Sequence, residues 1–171
     1  MTQRFARRAV VWVALACVGL VSCSGGLKNG YFVKGWLKYR VTELDPTKWI
    51  EISSHGNDLA WLNPSTGHVL ATNATCEDHG DPGLDVLTTH LLFGFNDREL
   101  KSRQTRMIDG REGMVSTYTA KLDGAAVDIE VAVLKKNHCV HDFVYISPVG
   151  KAEDYRADFE RLLSEFTAEK S

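Results

Sequence analysis

Four side chains in this sequence have the types and spacings that make chemistry conceivable. Cys76 and His79 form a Cys-x-x-His pair, and Cys139 and His141 form a Cys-x-His pair. If the two segments are neighbours, they would offer a tetrahedral zinc-type ligand set. On a strand, Cys139 and His141 would project from the same face. The spacing is not that of a standard zinc finger, and an exported protein oxidises paired thiols, so a Cys76–Cys139 disulfide is the leading expectation. Zinc binding and two unpaired buried thiols are the alternatives. A bridge closing a loop of about 64 residues would stabilise a domain by ~4 kcal/mol on the chain-entropy account.

Other constellations carry less. Glu77, Asp78, Asp81 and Asp85 cluster near a glycine, but their spacing does not match a calcium-binding loop, and turn or capping roles fit them better. There is no Gly-x-Ser-x-Gly elbow and no glycine-rich phosphate loop. His55, His68 and His90 stand alone. Arg98, Lys101, Arg103 and Arg106 would place a basic stripe on a strand, the ordinary pattern of a solvated sheet face. Trp36, Trp49 and Trp61 read as core positions, or as the lining of a ligand groove. No catalytic residue, resident metal or cofactor is assigned, and an enzyme is not the leading expectation.

The amino-terminal segment has a different logic. Arg4, Arg7 and Arg8 precede an apolar run from Ala9 to Val21, too short for a stable transmembrane helix and followed by small residues, the layout of an export signal. Leu20-Val21-Ser22-Cys23 resembles a bacterial lipobox, in which the cysteine is acylated and becomes the first mature residue. The resemblance implies a signal peptide over residues 1–22, lipidation of Cys23 and an anchor of two or three acyl chains, where one alone would hold only marginally. Ser24 in place of aspartate implies, by the enterobacterial sorting rule, an outer-membrane address facing the periplasm.

Removing residues 1–22 from the 171 leaves 149, enough for one ordinary domain. Losing three arginines takes the net charge of −2 for the whole chain to −5 for the mature part. That balance argues against nucleic acid as a partner and against a polybasic grip on lipid, leaving the acyl chains as the membrane contact.

Residues 23–35 read as a lipidated, glycine-bearing tether, with residues 24–34 giving a reach of ~18 Å. The domain, residues 36–171, opens with short strands at 36–41, 49–52, 59–62 and 68–75. Asp81 and Pro82 predict a helix start, Leu84, Leu87, Leu91 and Phe95 recur at helical spacing, and Gly94 is the stop, giving about three turns. Strands follow at 101–107, 114–122, 127–134 and 139–146. Asp123-Gly124 suits a tight hairpin between the second and third, and Lys135-Lys136-Asn137-His138 turns into the last. Tyr155, Phe159, Leu162, Leu163 and Phe166 mark one face of a C-terminal helix. The sum is an α+β fold: an antiparallel sheet of about six or seven strands covered by one internal and one terminal helix.

This order of elements, closing on Phe159-Glu160-Arg161-Leu162-Leu163-Ser164-Glu165-Phe166, resembles the PsbP-like α/β/α sandwich. The stretches Asp58-Leu59-Ala60-Trp61, Asp85-Val86-Leu87-Thr88-Thr89-His90-Leu91-Leu92-Phe93-Gly94-Phe95 and Val133-Leu134-Lys135-Lys136 with Cys139 also resemble a group of uncharacterised proteobacterial lipoproteins. The resemblance implies a binding or assembly module, and the expectation is a monomer that contacts an envelope protein or a small apolar ligand. The rival is a metal-binding protein or enzyme centred on Cys76, His79, Cys139 and His141. Packing and turn patterns alone transfer no activity.

Overall fold

The computed structural model describes residues 26–53, 56–76 and 80–169. Strands β1 (Gly26–Lys28), β2 (Tyr31–Lys34), β3 (Leu37–Arg40), β4 (Ile50–Glu51), β5 (Leu59–Leu62) and β6 (Val69–Thr75) precede helix α1 (Leu84–Leu91). Four long strands follow, β7 (Asn96–Ile108), β8 (Arg111–Leu122), β9 (Ala125–Lys136) and β10 (Cys139–Pro148). A single 3-10 turn (Ala152–Asp154) leads into α2 (Arg156–Glu165), and β11 (Thr167–Ala168) closes the described chain.

The long strands form a meander because each turn takes a left-handed backbone that short polar residues and glycine tolerate. The turn residues are Asp109-Gly110 (φ 47° and 71°), Asp123-Gly124 (50° and 84°) and Asn137-His138 (53° and 62°). One non-sequential pairing joins this meander to the first half of the chain: β10 lies antiparallel to β6, with Tyr145 opposite Leu70 and His141 opposite Ala74. The result is a seven-stranded antiparallel sheet in the order β4-β5-β6-β10-β9-β8-β7.

Alternation along the strands gives this sheet two apolar faces. On one, Cys139, Phe143 and Tyr145 of β10 join Phe159, Leu162 and Leu163 of α2 in the larger core. Those three α2 side chains are at most 1% exposed, each worth roughly 2 kcal/mol of burial. On the other face, Tyr118, Ile129 and Val131 pack beneath Leu92, with Leu91 and Phe95 partly buried beside them. Helices therefore cover both faces of the sheet.

The expected α+β fold and its two covering helices are present, with three differences. First, residues 26–34, expected as tether, are β1 and β2, turned at Asn29-Gly30 and packed through the buried Phe32. With β3 and β11 they form a second, four-stranded sheet, β1-β2-β3-β11. Second, α1 begins at Leu84, with Gly83 as its N-cap, and spans eight residues. Asp81 does not cap it, because its carboxylate pairs with Lys135, whose ammonium also donates to the Pro82 carbonyl. Third, Trp49 and Trp61 are core residues but Trp36 is 56% exposed. It sits in the β2–β3 turn, in phase with Lys38 and Arg40, while Leu37, Tyr39 and Val41 face inward.

A buried polar junction holds the two sheets together. The Tyr39 hydroxyl donates to Asp58 Oδ2 at 3.0 Å, and the same oxygen accepts the Ala74 N–H at 2.9 Å. Burial, reinforced by the Asp58 carboxylate, pushes the Tyr39 pKa far up and keeps the phenol neutral.

Candidate functional site

The cysteine and histidine quartet resolves into a bridge and a core residue. Val140 lies opposite Thr75 in the β6–β10 register, which brings Cys139 against Cys76, and the two form a disulfide. Both thiols are consumed. His141 shares the inward face with Cys139, as expected, but its ring lies 5.0 Å from Phe166 and 5.8 Å from Tyr39. Neither ring nitrogen has a hydrogen-bond partner, and burial pushes the pKa down to about 4, against the weaker opposing pull of the Lys136 backbone. His79, Glu77, Asp78, His55 and Cys23 lie outside the described residues. Among the described residues, no three His, Cys, Asp or Glu side chains gather as metal ligands do.

The basic stripe on β7 is occupied by structural contacts. Arg106 makes two parallel bonds to Glu160 of α2 at 2.9 and 2.8 Å. Arg103 donates to the Tyr118 hydroxyl at 2.8 Å, Lys101 pairs with Glu99 at 2.7 Å, and Arg98 reaches the Leu92 carbonyl.

The feature with the character of a site lies where the larger core face runs past the start of α2. In-phase residues of three strands make its floor: Thr117 and Thr119 from β8, Asp128 and Glu130 from β9, Tyr145 and Ser147 from β10. The 3-10 turn and the first turn of α2 make its roof with Ala152, Glu153 and Arg156, and Lys101 stands at the rim. The groove between them has a volume of about 320 Å³, within the range of small-molecule sites.

Two side chains pin that roof. The Tyr145 hydroxyl donates to the Ala152 carbonyl at 2.8 Å. His68, 1% exposed, bonds the preceding Lys151 carbonyl through Nε2 at 2.9 Å, while Nδ1 meets the Thr66 hydroxyl at 2.8 Å. With a carbonyl as its partner, Nε2 carries the proton and Nδ1 accepts. His68, which stands apart from any motif in the sequence, is thus a strut beneath the site.

The electrostatics centre on Glu130, whose side chain is 5% exposed. Arg156 grips it side-on, Nε to Oε2 at 3.2 Å and Nη2 to Oε1 at 3.3 Å, while Nη1 holds Glu153 at 2.9 Å. Burial nevertheless holds the Glu130 carboxyl above its ordinary pKa, outweighing the guanidinium, with Glu160 adding to the rise. Ser147 is 1% exposed and its hydroxyl has no hydrogen-bond partner.

Sequence reasoning did not single out Glu130, Ser147 or Arg156. A signal existed for the first: Glu130 is in phase with Ala132 and Leu134, so it had to face the core side of its strand. Ser147 carries a similar signal, in phase with Phe143 and Tyr145, but it lies beyond Ile146, where the sequence-based strand stops.

No protein-family model matches the chain, and no curated protein matches it in sequence. Solved structures do. The cyanobacterial PsbP protein CyanoP of Synechocystis sp. PCC 6803 superposes with a TM-score of 0.54 at 15% identity, covering 90% of this chain and 98% of that one. LpqN of Mycobacterium tuberculosis, described as involved in cell envelope biogenesis, gives 0.56 at 9% identity over 76% of this chain and 83% of its own. A protein of Bacteroides thetaiotaomicron VPI-5482 gives 0.54 at 14% identity, over 80% of this chain and 46% of its own. At such identities the likeness is one of architecture, and the chain has the PsbP-like fold.

Proposed function

We propose that this protein is a lipid-anchored binding module of the bacterial cell envelope, held by acyl chains on Cys23 and receiving a small ligand in the Glu130 groove. The observation that carries the binding reading is the groove: a walled cleft beside the core that holds a buried carboxylate and an unpartnered buried hydroxyl. Polar groups placed this way orient ligands in concave sites.

The envelope part of the proposal rests on the order of arginines, apolar run and Leu20-Val21-Ser22-Cys23. The involvement of LpqN in cell envelope biogenesis is compatible with it. Among the described residues, no helix is long and apolar enough to cross a membrane, so the acyl chains are the attachment in this reading. Ser24 favours the outer membrane. A metal centre on Cys76, His79, Cys139 and His141 draws no support from the geometry, because the disulfide removes both thiolates and His141 is enclosed by aromatic rings.

Metabolic labelling with radioactive palmitate, followed by density-gradient separation of membranes, tests the anchor. The wild-type chain is expected to carry label in the outer-membrane fraction, and Cys23→Ala to lose the label and leave the membrane. Label retained on Cys23→Ala, or an unlabelled wild-type protein free in the cytosol, would refute the anchor.

A further inference from the structure

The groove has more carboxylates than cations, although one of them, Asp128, also accepts the Gly150 N–H at 2.7 Å. Its walls present three carboxylates, Asp128, Glu130 and Glu153, against two cations, Lys101 and Arg156. Lys101 is already paired with Glu99 outside the groove, and every guanidinium nitrogen of Arg156 is engaged by Glu130 or Glu153. Glu130 therefore shares its one bonded guanidinium with Glu153, and the nearby Arg106 is bonded to Glu160. Beside Glu130, Ser147 lines the same cleft with its hydroxyl buried and without a partner, a state that buried polar groups rarely keep.

Register places these two groups within reach of one ligand atom. Glu130 lies opposite Tyr145 and Ser147 lies opposite Asp128, which makes Glu130 and Ser147 diagonal neighbours on one face. Such neighbours stand roughly 7 Å apart at their Cβ atoms, a gap that a single hydrogen-bonding nitrogen can bridge. The Tyr145 ring and Ala152 supply apolar surface alongside.

We propose that the groove binds a small amine, its protonated nitrogen donating to the Glu130 carboxylate and to Ser147 Oγ, and its compact apolar body resting against Tyr145 and Ala152. A carboxylate ligand would meet three like charges. A neutral alcohol would satisfy Ser147 and leave the charge on Glu130 as it was. This assignment rests on the reading of the groove as a ligand site, and the test separates the two.

The probes are benzylamine, benzyl alcohol and benzoate, which share a body and differ in the polar group. Binding to the full chain in detergent micelles is measured by saturation-transfer NMR titration, with Glu130→Gln and Ser147→Ala in the same detergent so that partition into micelles cancels. Benzylamine is expected to bind at least tenfold more tightly than the other two. Glu130→Gln should weaken it tenfold or more, and Ser147→Ala three- to tenfold. Because Ser147→Ala removes an unpartnered hydroxyl, the melting temperature of the free protein should hold or rise, which distinguishes lost recognition from lost folding. Benzoate or benzyl alcohol binding as tightly as benzylamine, with sensitivity to Ser147→Ala, would overturn the amine assignment and keep the site. Benzylamine binding that both variants leave unchanged, or no Ser147-sensitive signal from any probe, would overturn both.

Discussion

His141 brings two polar nitrogens into an aromatic pocket and leaves both without a bond. Its folded-state pKa of about 4 lies below the unfolded value of 6.5, so the folded protein refuses a proton that the unfolded chain accepts. The stability tied to this residue is full above about pH 6.5 and is lost as the pH falls to about 4, on the order of 3 kcal/mol in all. Glu130 works the other way: its raised pKa adds stability at acid pH that fades as pH rises through the folded value. His141→Leu should hold or raise the urea midpoint at pH 7, since it removes two unsatisfied atoms. It should also flatten the decline between pH 6.5 and 4, and midpoints measured across that range check both. Arg156→Ala strips Glu130 of its partner. With the arginine side chain 38% exposed, solvent softens the effect to about 2 kcal/mol at pH 7. The loss should shrink toward acid pH as Glu130 takes up a proton, read by the same denaturation series. Neither role could be had from residue type alone: a histidine two places after a cysteine looks like a ligand until the ring contacts show what surrounds it.

The long hairpins were the most legible elements, because Asp123-Gly124 between two alternating runs leaves the backbone few other choices. Asn29-Gly30 carries the same signature, yet glycine and polar residues around it read as tether. What made it a hairpin was Phe32 finding a place in the core beside Tyr39, at a centroid distance of 5.1 Å. The helix start was displaced because the Asp81 carboxylate pairs with Lys135 of β9 instead of capping, a long-range contact that local propensity does not see. The disulfide, by contrast, followed from composition and compartment before any geometry was known. Removing it should cost about 4 kcal/mol for a sequence separation of 63 residues. Cys76→Ser and Cys139→Ser should lose similar amounts of stability, and the double variant little more than either, as read from urea midpoints without reductant. Losses that simply add would contradict a shared bond. At the turn between β8 and β9, Gly124→Ala meets a φ of 84° and should cost roughly 1–2 kcal/mol, visible as a lower melting temperature.

At the scale of the molecule, the groove is a product of layering. Neither β9 nor α2 makes it alone; it exists because the sheet face continues past the point where α2 begins to cover it. That is why the sequence disclosed the class of fold and the bridge but not the site: Glu130, Ser147 and Arg156 meet through strand register and through the turn that His68 and Tyr145 hold in place. The same layering takes in the first described residues, Gly26–Lys28, as strand β1. Gly26 is in a strand, so if Cys23 carries the anchor we propose, only Ser24 and Gly25 separate that strand from it in sequence. Fully extended, that span covers about 10 Å. Under that proposal, a body moored so closely would turn with the lipid surface instead of tumbling beside it. Its search for anything embedded in the same leaflet would then be confined to two dimensions, and solutes would reach it only from a layer about one protein diameter deep.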